Sequence, residues 1–318
     1  MKNAFIFPGQ GAQKIGMGRE LATVYPSARE VFQIVDDALG ENLSSLIWDG
    51  DLNELTLTEN AQPALMASSI AILAAMESEG FEITFADFVA GHSLGEYTAL
   101  CASKAISIAD TAKLLRVRGE AMQSCDLGRQ GAMAVVLGLN VTELQDVVDE
   151  ASGFESCQIA NDNDPSQVVI SGYRSAVMRA IEIAKIKGAK RALSLNVSAP
   201  FHSKMMQPAA EKMQEALEGI AINIPKVPIV MNTQAKAVVD PGLIRGFLVD
   251  QVVGMVRWRE SVTYMIDNGV SGFYELGVGK VLSGMIKRIA SDKDTFNIAS
   301  PTEVSSIWEV IKNVAAKR

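Results

Sequence analysis

Phe88-Val89-Ala90-Gly91-His92-Ser93-Leu94-Gly95-Glu96-Tyr97 is the stretch that decides the fold of this chain. Phe88 to Ala90 is a short apolar run with strand character, and Leu94 to Ala102 reads as a helix, so Ser93 falls on the turn between them. A strand that turns this sharply into a helix brings its own backbone close on both sides. Small residues are therefore needed two before and two after the serine, and Gly91 and Gly95 supply them. The turn lifts the hydroxyl clear and leaves free N–H groups at the helix start, where a developing oxyanion can be held. A bare Gly-x-Ser-x-Gly also occurs in ordinary glycine-rich turns. The strand before it and the helix after it make Ser93 a candidate nucleophile on an α/β scaffold.

A serine is a poor nucleophile without a base, and the chain has only 2 histidines. His92 is adjacent to Ser93, and neighbouring side chains on a tight turn diverge, so it is badly placed to take that proton. His202 remains. It lies in the loop Ser198-Ala199-Pro200-Phe201-His202-Ser203, after a strand-like run from Ala192 to Val197 and before a helix.

At 318 residues the chain exceeds what one hydrophobic core usually holds, so two subdomains are expected. The longest apolar stretch, Ala64 to Met76, is broken by Ser68 and Ser69 and is too short to span a bilayer. The first eight residues contain no signal-peptide apolar region, and the 3 cysteines show neither disulfide nor metal spacing. These features predict a soluble cytoplasmic protein. A net charge of −8 argues against a nucleic-acid partner and requires any acidic partner to dock on a local basic patch. Lys187, Lys190 and Arg191 form one such cluster, and Lys280, Lys287 and Arg288 another; each also reads as ordinary solvated charge.

Ala4 to Phe7 reads as a strand, followed by the loop Gly9 to Gln13. Helical patterns cover Ser27 to Leu39 and Pro63 to Ser78, the latter with proline in its first turn. After the elbow, Ser107 to Asp110 resembles a capping box opening a helix to about Ser124. From residue 131 the texture changes. Ala132–Leu137, Ser156–Ala160, Gln167–Ser171 and Ala192–Val197 read as strands, and Thr142–Ala151 and Ser175–Lys187 as helices. That βαββαβ order is the ferredoxin-like pattern, inserted between the serine and the histidine over 128–198. Helices then follow at Ser203–Leu217, Ile244–Val252 and Ser261–Asn268, with strands at Ile229–Met231 and Phe273–Leu276.

Two glycine motifs fail as phosphate cradles. Gly9-x-Gly11 follows a strand, but Lys14 occupies the third glycine position of a dinucleotide fingerprint; before Gly279-Lys280, Tyr274 stands where a P-loop needs its first glycine. The Gly9–Gln13 loop keeps another use, since its N–H groups can complete an oxyanion hole beside Ser93. On the helix from Ser107, one hundred degrees per residue puts Arg118 between Leu114 and Met122, inside the apolar sector. A buried guanidinium needs an anion. It is either a structural ion pair or snorkelling side chain, or a fork that grips a substrate carboxylate with two parallel hydrogen bonds.

Phe7-Pro8-Gly9-Gln10-Gly11, Gln62-Pro63-Ala64, the extended elbow through Glu96-Tyr97, Arg118-Gly119, the 198–203 loop and the run Glu275 to Leu282 together resemble the malonyl-CoA:acyl carrier protein transacylase family, in order and over nearly the whole chain. Small departures, Met255 and Val278 where many relatives have proline, lie outside the catalytic set. The resemblance implies an α/β-hydrolase-like core (1–127 and 199–318) carrying the ferredoxin-like subdomain. It implies Ser93 as nucleophile, His202 as base and the Gln251 backbone carbonyl as orienter of the histidine. The N–H groups of Gln10 and Leu94 would form the oxyanion hole, and Arg118 would bind the malonyl carboxylate. Gln62 and Asn161 would line the acyl pocket, and Phe201 would favour malonyl over methylmalonyl. The reaction would be ping-pong between coenzyme A and the phosphopantetheine thiol of acyl carrier protein, with no metal or other cofactor. The lack of synthase domains in this chain favours fatty acid over polyketide synthesis. A serine esterase or thioesterase of α/β-hydrolase type is the competing reading. It would place its histidine near the C-terminus and would need a dedicated acid, and none stands out.

Overall fold

The computed structural model describes residues 2–125 and 130–315, so the boundary expected at 127/128 lies outside the described residues. The first part runs β1 (Lys2–Phe7), α1 (Arg19–Val24), α2 (Pro26–Leu39), α3 (Leu43–Asp49), α4 (Leu52–Thr56) and α5 (Thr58–Ser78). The elbow follows as β2 (Phe88–Gly91) and α6 (Leu94–Ala102), then α7 (Ile108–Ser124). Next come β3 (Gly131–Leu137), α8 (Val141–Ala151), β4 (Cys157–Asp164), β5 (Gln167–Tyr173), α9 (Arg174–Ile186) and β6 (Arg191–Ser194). The last part holds α10 (Gln207–Glu218), β7 (Ile229–Met231), β8 (Lys236–Val238), α11 (Pro241–Val253) and α12 (Trp258–Asp267). It ends with β9 (Val270–Leu276), α13 (Val281–Ile289), β10 (Asp294–Ile298) and α14 (Pro301–Ala315). The protein is mixed α/β.

A six-stranded sheet in the order β10-β9-β1-β2-β7-β8 is parallel except for β8. Parallel strands bury both faces, and β1 shows it by alternation. Phe5 and Phe7 join the core with α2, α5 and α7, whereas Ala4 and Ile6 meet Trp258 and Val262 of α12 and Ile286 of α13. A separate antiparallel sheet has the order β4-β5-β3-β6. Ala132, Ala134 and Val136 pack with α8 and α9 on one face. Met133 and Val169 look out from the other, with Leu195 and Phe201 against them. Two buried aspartates of β4 tie this sheet to the larger one: Asp162 takes a two-nitrogen grip from Arg259 of α12, and Asp164 accepts from Arg288 of α13.

Three sequence expectations are corrected in detail. The helix expected from Pro63 begins five residues earlier at Thr58, and proline inside it forgoes only the bond to the carbonyl of Glu59. The strand expected to reach Val197 stops at Ser194; the Leu195 N–H still donates to the Met133 carbonyl of β3 at 2.8 Å, and the chain then leaves the sheet although β3 itself continues to Gly131. The helix expected from Ser203 opens with a 3₁₀ turn, Lys204–Met206, before α10. No pattern in the sequence announces the short helices α1, α3 and α4 or the edge strands β8 and β10. Among the described residues no helix is long and apolar enough to cross a membrane.

Candidate active site

β1 and β2 run side by side with Phe7 opposite Gly91, so both feed their following loops to the same edge of the sheet. Ligands gather at that carboxyl edge in open parallel sheets. The elbow is as tight as its glycines imply. A Cβ on Gly91 would overlap the carbonyl of Gly95, and a Cβ on Gly95 would overlap that of Phe7. Ser93, at φ 55 and ψ −112, holds a conformation that L side chains rarely adopt.

Its hydroxyl donates to Nε2 of His202 at 2.8 Å. The histidine arrives from the loop between β6 and α10, itself at φ 55 and only 3% exposed. Its Nδ1–H donates to the backbone carbonyl of Gln251 on α11 at 2.9 Å. A carbonyl cannot donate, so the proton sits on Nδ1 and the Nε2 lone pair faces the serine. No acid takes part in this chain of bonds. His92 is turned away, with its Nε2 on Asn163 at 2.9 Å, which agrees with its rejection as the base.

Burial, with the positive charge of Arg118 adding to it, pushes the His202 pKa down to about 3. A general base must be neutral, and this one stays neutral throughout the ordinary working range. The His202 ring resonance should therefore hold its neutral position as pH falls from about 8 to about 5, whereas an unperturbed histidine titrates near 6.5. A midpoint near 6.5 in that NMR titration would mean that solvent reaches the ring.

Arg118 is 1% exposed, which removes the snorkelling alternative. Its bonds run to amides and a hydroxyl. Nη1 donates to Gln62 Oε1 at 2.7 Å, and Nη2 to Gln251 Oε1 at 2.8 Å and to Ser93 Oγ at 3.2 Å. The approach of α7 to α5 allows this reach, because Gly119 lies where any Cβ would strike the backbone of Glu59. A cation with neutral ligands, set beside a nucleophilic oxygen, is equipped to receive an anionic group of the acyl substrate.

A cavity of about 850 Å³ opens over Ser93 between the two sheets. Gln10, Gln62, Leu94, Arg118, Asn161, Phe201 and His202 all line it, as the sequence and the resemblance place them. Gln251 does not; it lies fully buried behind the wall. Leu195, on the segment that leaves β6, forms apolar wall with Met133 and Val169. The Gly9–Gln13 loop lies against the elbow, where a Cβ on Gly9 would come 2.8 Å from the carbonyl of His92. Among the described residues no cluster of His, Cys, Asp or Glu has the makings of a metal site. Of the basic clusters, Lys187 pairs with Glu150 and Arg288 with Asp164, while exposed Arg191 opens the strand that runs into the cavity wall.

The acyl transferase domain model matches residues 4–303. The chain belongs to the acyl transferase family. Within that family it is 44% identical over 312 residues to the malonyl CoA-acyl carrier protein transacylase of Bacillus subtilis (strain 168), covering 98% of each chain. The crystal structure of acyl-carrier-protein-S-malonyltransferase from Bartonella henselae superposes with a TM-score of 0.96 at 47% identity, covering 98% of this chain and 100% of that one. A malonyl-transacylase solved in complex with a type II PKS acyl-carrier protein gives 0.94 at 37% identity, with 98% and 100% covered. The resemblance drawn from the motifs is thereby borne out along the whole chain.

The site also contains residues to which the sequence reading gives no role. Asn232, just past β7, receives the Ser93 N–H on its Oδ1 at 2.8 Å. Glu96 and the side-chain amide of Gln251 meet it from two other helices. Glu96 had a signal that went unused: it is an acid in a helix whose other residues are nearly all apolar or small. Asn232 had none.

Proposed function

We propose that this acyltransferase carries malonyl groups from malonyl-CoA to the phosphopantetheine thiol of acyl carrier protein, supplying malonyl-carrier for fatty acid synthesis. One observation carries the reading: Ser93 Oγ is hydrogen-bonded to a neutral histidine and lies 3.2 Å from a buried, carboxylate-free arginine. His202 Nε2 takes the Ser93 proton as Oγ attacks the thioester carbon. The backbone N–H groups of Gln10 and Leu94 hold the oxyanion, and Arg118 holds the distal carboxylate. Collapse of the tetrahedral intermediate expels coenzyme A, to whose sulfur the imidazolium returns the proton. The carrier thiol then gives its proton to His202 and attacks the malonyl-Ser93 ester by the same route in reverse.

Gln251 acts through its carbonyl, holding the Nδ1 tautomer. Gln62 and Asn161 bound the acyl chamber, and Phe201 narrows it against a branched acyl group. The reaction proceeds in the cytoplasm without a metal or other cofactor. The β3–β6 sheet with α8 and α9 is read as a ferredoxin-like subdomain over 128–198. The remainder is an α/β-hydrolase-like core. An acidic carrier protein is expected to dock beside Arg191 and the neighbouring lysines, at the end of the strand that leads into the cavity.

Intact-mass measurement tests the scheme. Mixed with malonyl-CoA, the protein should gain one malonyl group and keep it until holo carrier protein is added, which should then take it. Release of free malonate in the absence of carrier would instead mark a thioesterase. Presenting fatty-acid and polyketide carriers side by side tells which pathway is served.

A further inference from the structure

Ser93 is strained, and a strained residue persists only where its surroundings hold it. Both of its peptide groups are tied. The Ser93 N–H donates to Asn232 Oδ1 at 2.8 Å, and the Ser93 carbonyl accepts from Gln251 Nε2 at 2.8 Å. The two amide side chains arrive from different elements, Asn232 after β7 and Gln251 from α11. One buried carboxylate joins them: Glu96 Oε1 accepts the Asn232 N–H at 2.5 Å, and Oε2 accepts from Gln251 Nε2 at 2.7 Å. Glu96 occupies the third position of α6, where an acid ordinarily reaches back to cap the helix. Here it turns inward instead and is fully buried.

Both of its partners are N–H donors, so the carboxylate form is the one that fits. Burial raises its pKa to about 8 although the N–H of Asn232, the charge of Arg118 and the amide of Gln251 pull the other way, so the carboxylate that these donors fit prevails on the alkaline side of that value. Arg118 of α7 and Tyr97 on its own helix are the titratable groups that act on it. Gln251 then has one orientation available. Its NH₂ must face Glu96 and the Ser93 carbonyl, so its Oε1 faces Arg118 Nη2. Its backbone carbonyl, meanwhile, holds His202.

We infer that Glu96 is a positioning residue for acyl transfer: through Asn232 and Gln251 it fixes the backbone of the nucleophile and the orientation of the amide that faces Arg118. This rests on the transacylase reading of the site.

The test is Glu96→Gln. An amide there must put its NH₂ against either the Asn232 N–H or the Gln251 NH₂, so two donors collide and one tie to Ser93 is released. The first-order constant for acylation of Ser93, read by quenched-flow mass spectrometry at saturating thioester, should fall on the order of 10²-fold, the cost of misplacing a reacting group by about 1 Å. Acetyl-CoA and malonyl-CoA should both suffer, because the fault lies at the nucleophile. The malonyl-CoA concentration giving half-maximal rate should stay within about threefold of wild type, since the substrate contacts remain.

A purely structural carboxylate would lower the melting temperature and the fraction of molecules that react while leaving the rate constant of the reacting molecules unchanged. That result overturns the inference. If Glu96→Gln is insoluble, Glu96→Asp keeps the charge but withdraws it by one methylene. It should slow the same constant on the order of 10-fold, as one of the two ties is lost; an unchanged constant in that variant also overturns the inference. Wild-type protein that never gains malonyl mass would remove the reaction reading itself, which is a separate failure.

Discussion

Ser93→Ala should abolish acyl-enzyme formation, lowering turnover by a factor on the order of 10⁶, the scale for removing an activated serine. The magnitude follows from the absence of a substitute. The rivals in the chain are the 3 cysteines, none of which lines the cavity: burial pushes Cys101 and Cys157 up to about 12, so neither supplies thiolate at neutral pH, and the Cys125 thiol donates to the Ala121 carbonyl at 3.2 Å. The remaining hydrogen-bonding partners of His202 and Arg118 are a carbonyl and side-chain amides, which are not acyl acceptors. Alanine adopts the elbow conformation no less readily than serine, so the variant should fold and still bind malonyl-CoA. Intact mass after incubation with malonyl-CoA reads the outcome directly. A malonyl adduct forming at the wild-type rate would place the nucleophile elsewhere.

Arg118→Ala should cost roughly 2–5 kcal/mol of malonyl-CoA recognition, the scale for breaking a buried charged pair. Acetyl-CoA has no carboxylate to offer, so its acylation should fall much less. Some loss is still expected, because Nη2 touches Ser93 Oγ and the guanidinium offsets the charge of Glu96. Arg118→Lys should rescue only part of the malonyl activity. One ammonium cannot serve Gln62, Gln251 and a bidentate carboxylate together. The decisive quantity is the ratio of acylation efficiencies for the two thioesters. An equal loss for both would make Arg118 a structural residue and leave the malonyl carboxylate to another group. The contrast with Glu96→Gln, which strikes both substrates alike, separates gripping the acyl group from holding the nucleophile.

The elbow was legible because its requirement is local. Five consecutive residues must avoid their own backbone, and only glycine at 91 and 95 allows it. The burial of Arg118 was legible because helical periodicity projects directly onto burial. His202 was legible for a compositional reason, since with 2 histidines elimination could work. Where a strand would stop was not legible: Leu195 to Val197 have strand character and β3 runs on beside them, but past Leu195 the chain turns away from β3 to line the cavity. Gln251 came only through family resemblance, and Glu96 and Asn232 received no role at all. Nothing local marks a glutamine whose carbonyl serves a histidine 49 positions away.

By itself, then, the sequence determined what short-range sterics and periodicity control: the α/β alternation, the strained turn at Ser93 and the buried face that carries Arg118. The tertiary structure brought His202 to that turn and alone decided that Asn232 and Glu96 join it there. Ser93 and His202 are separated by 109 positions, Ser93 and Asn232 by 139, and Glu96 and Gln251 by 155. Such contacts depend on how two sheets and their helices pack. A buried polar group takes whichever partner that packing brings within about 3 Å, wherever in the chain the partner lies.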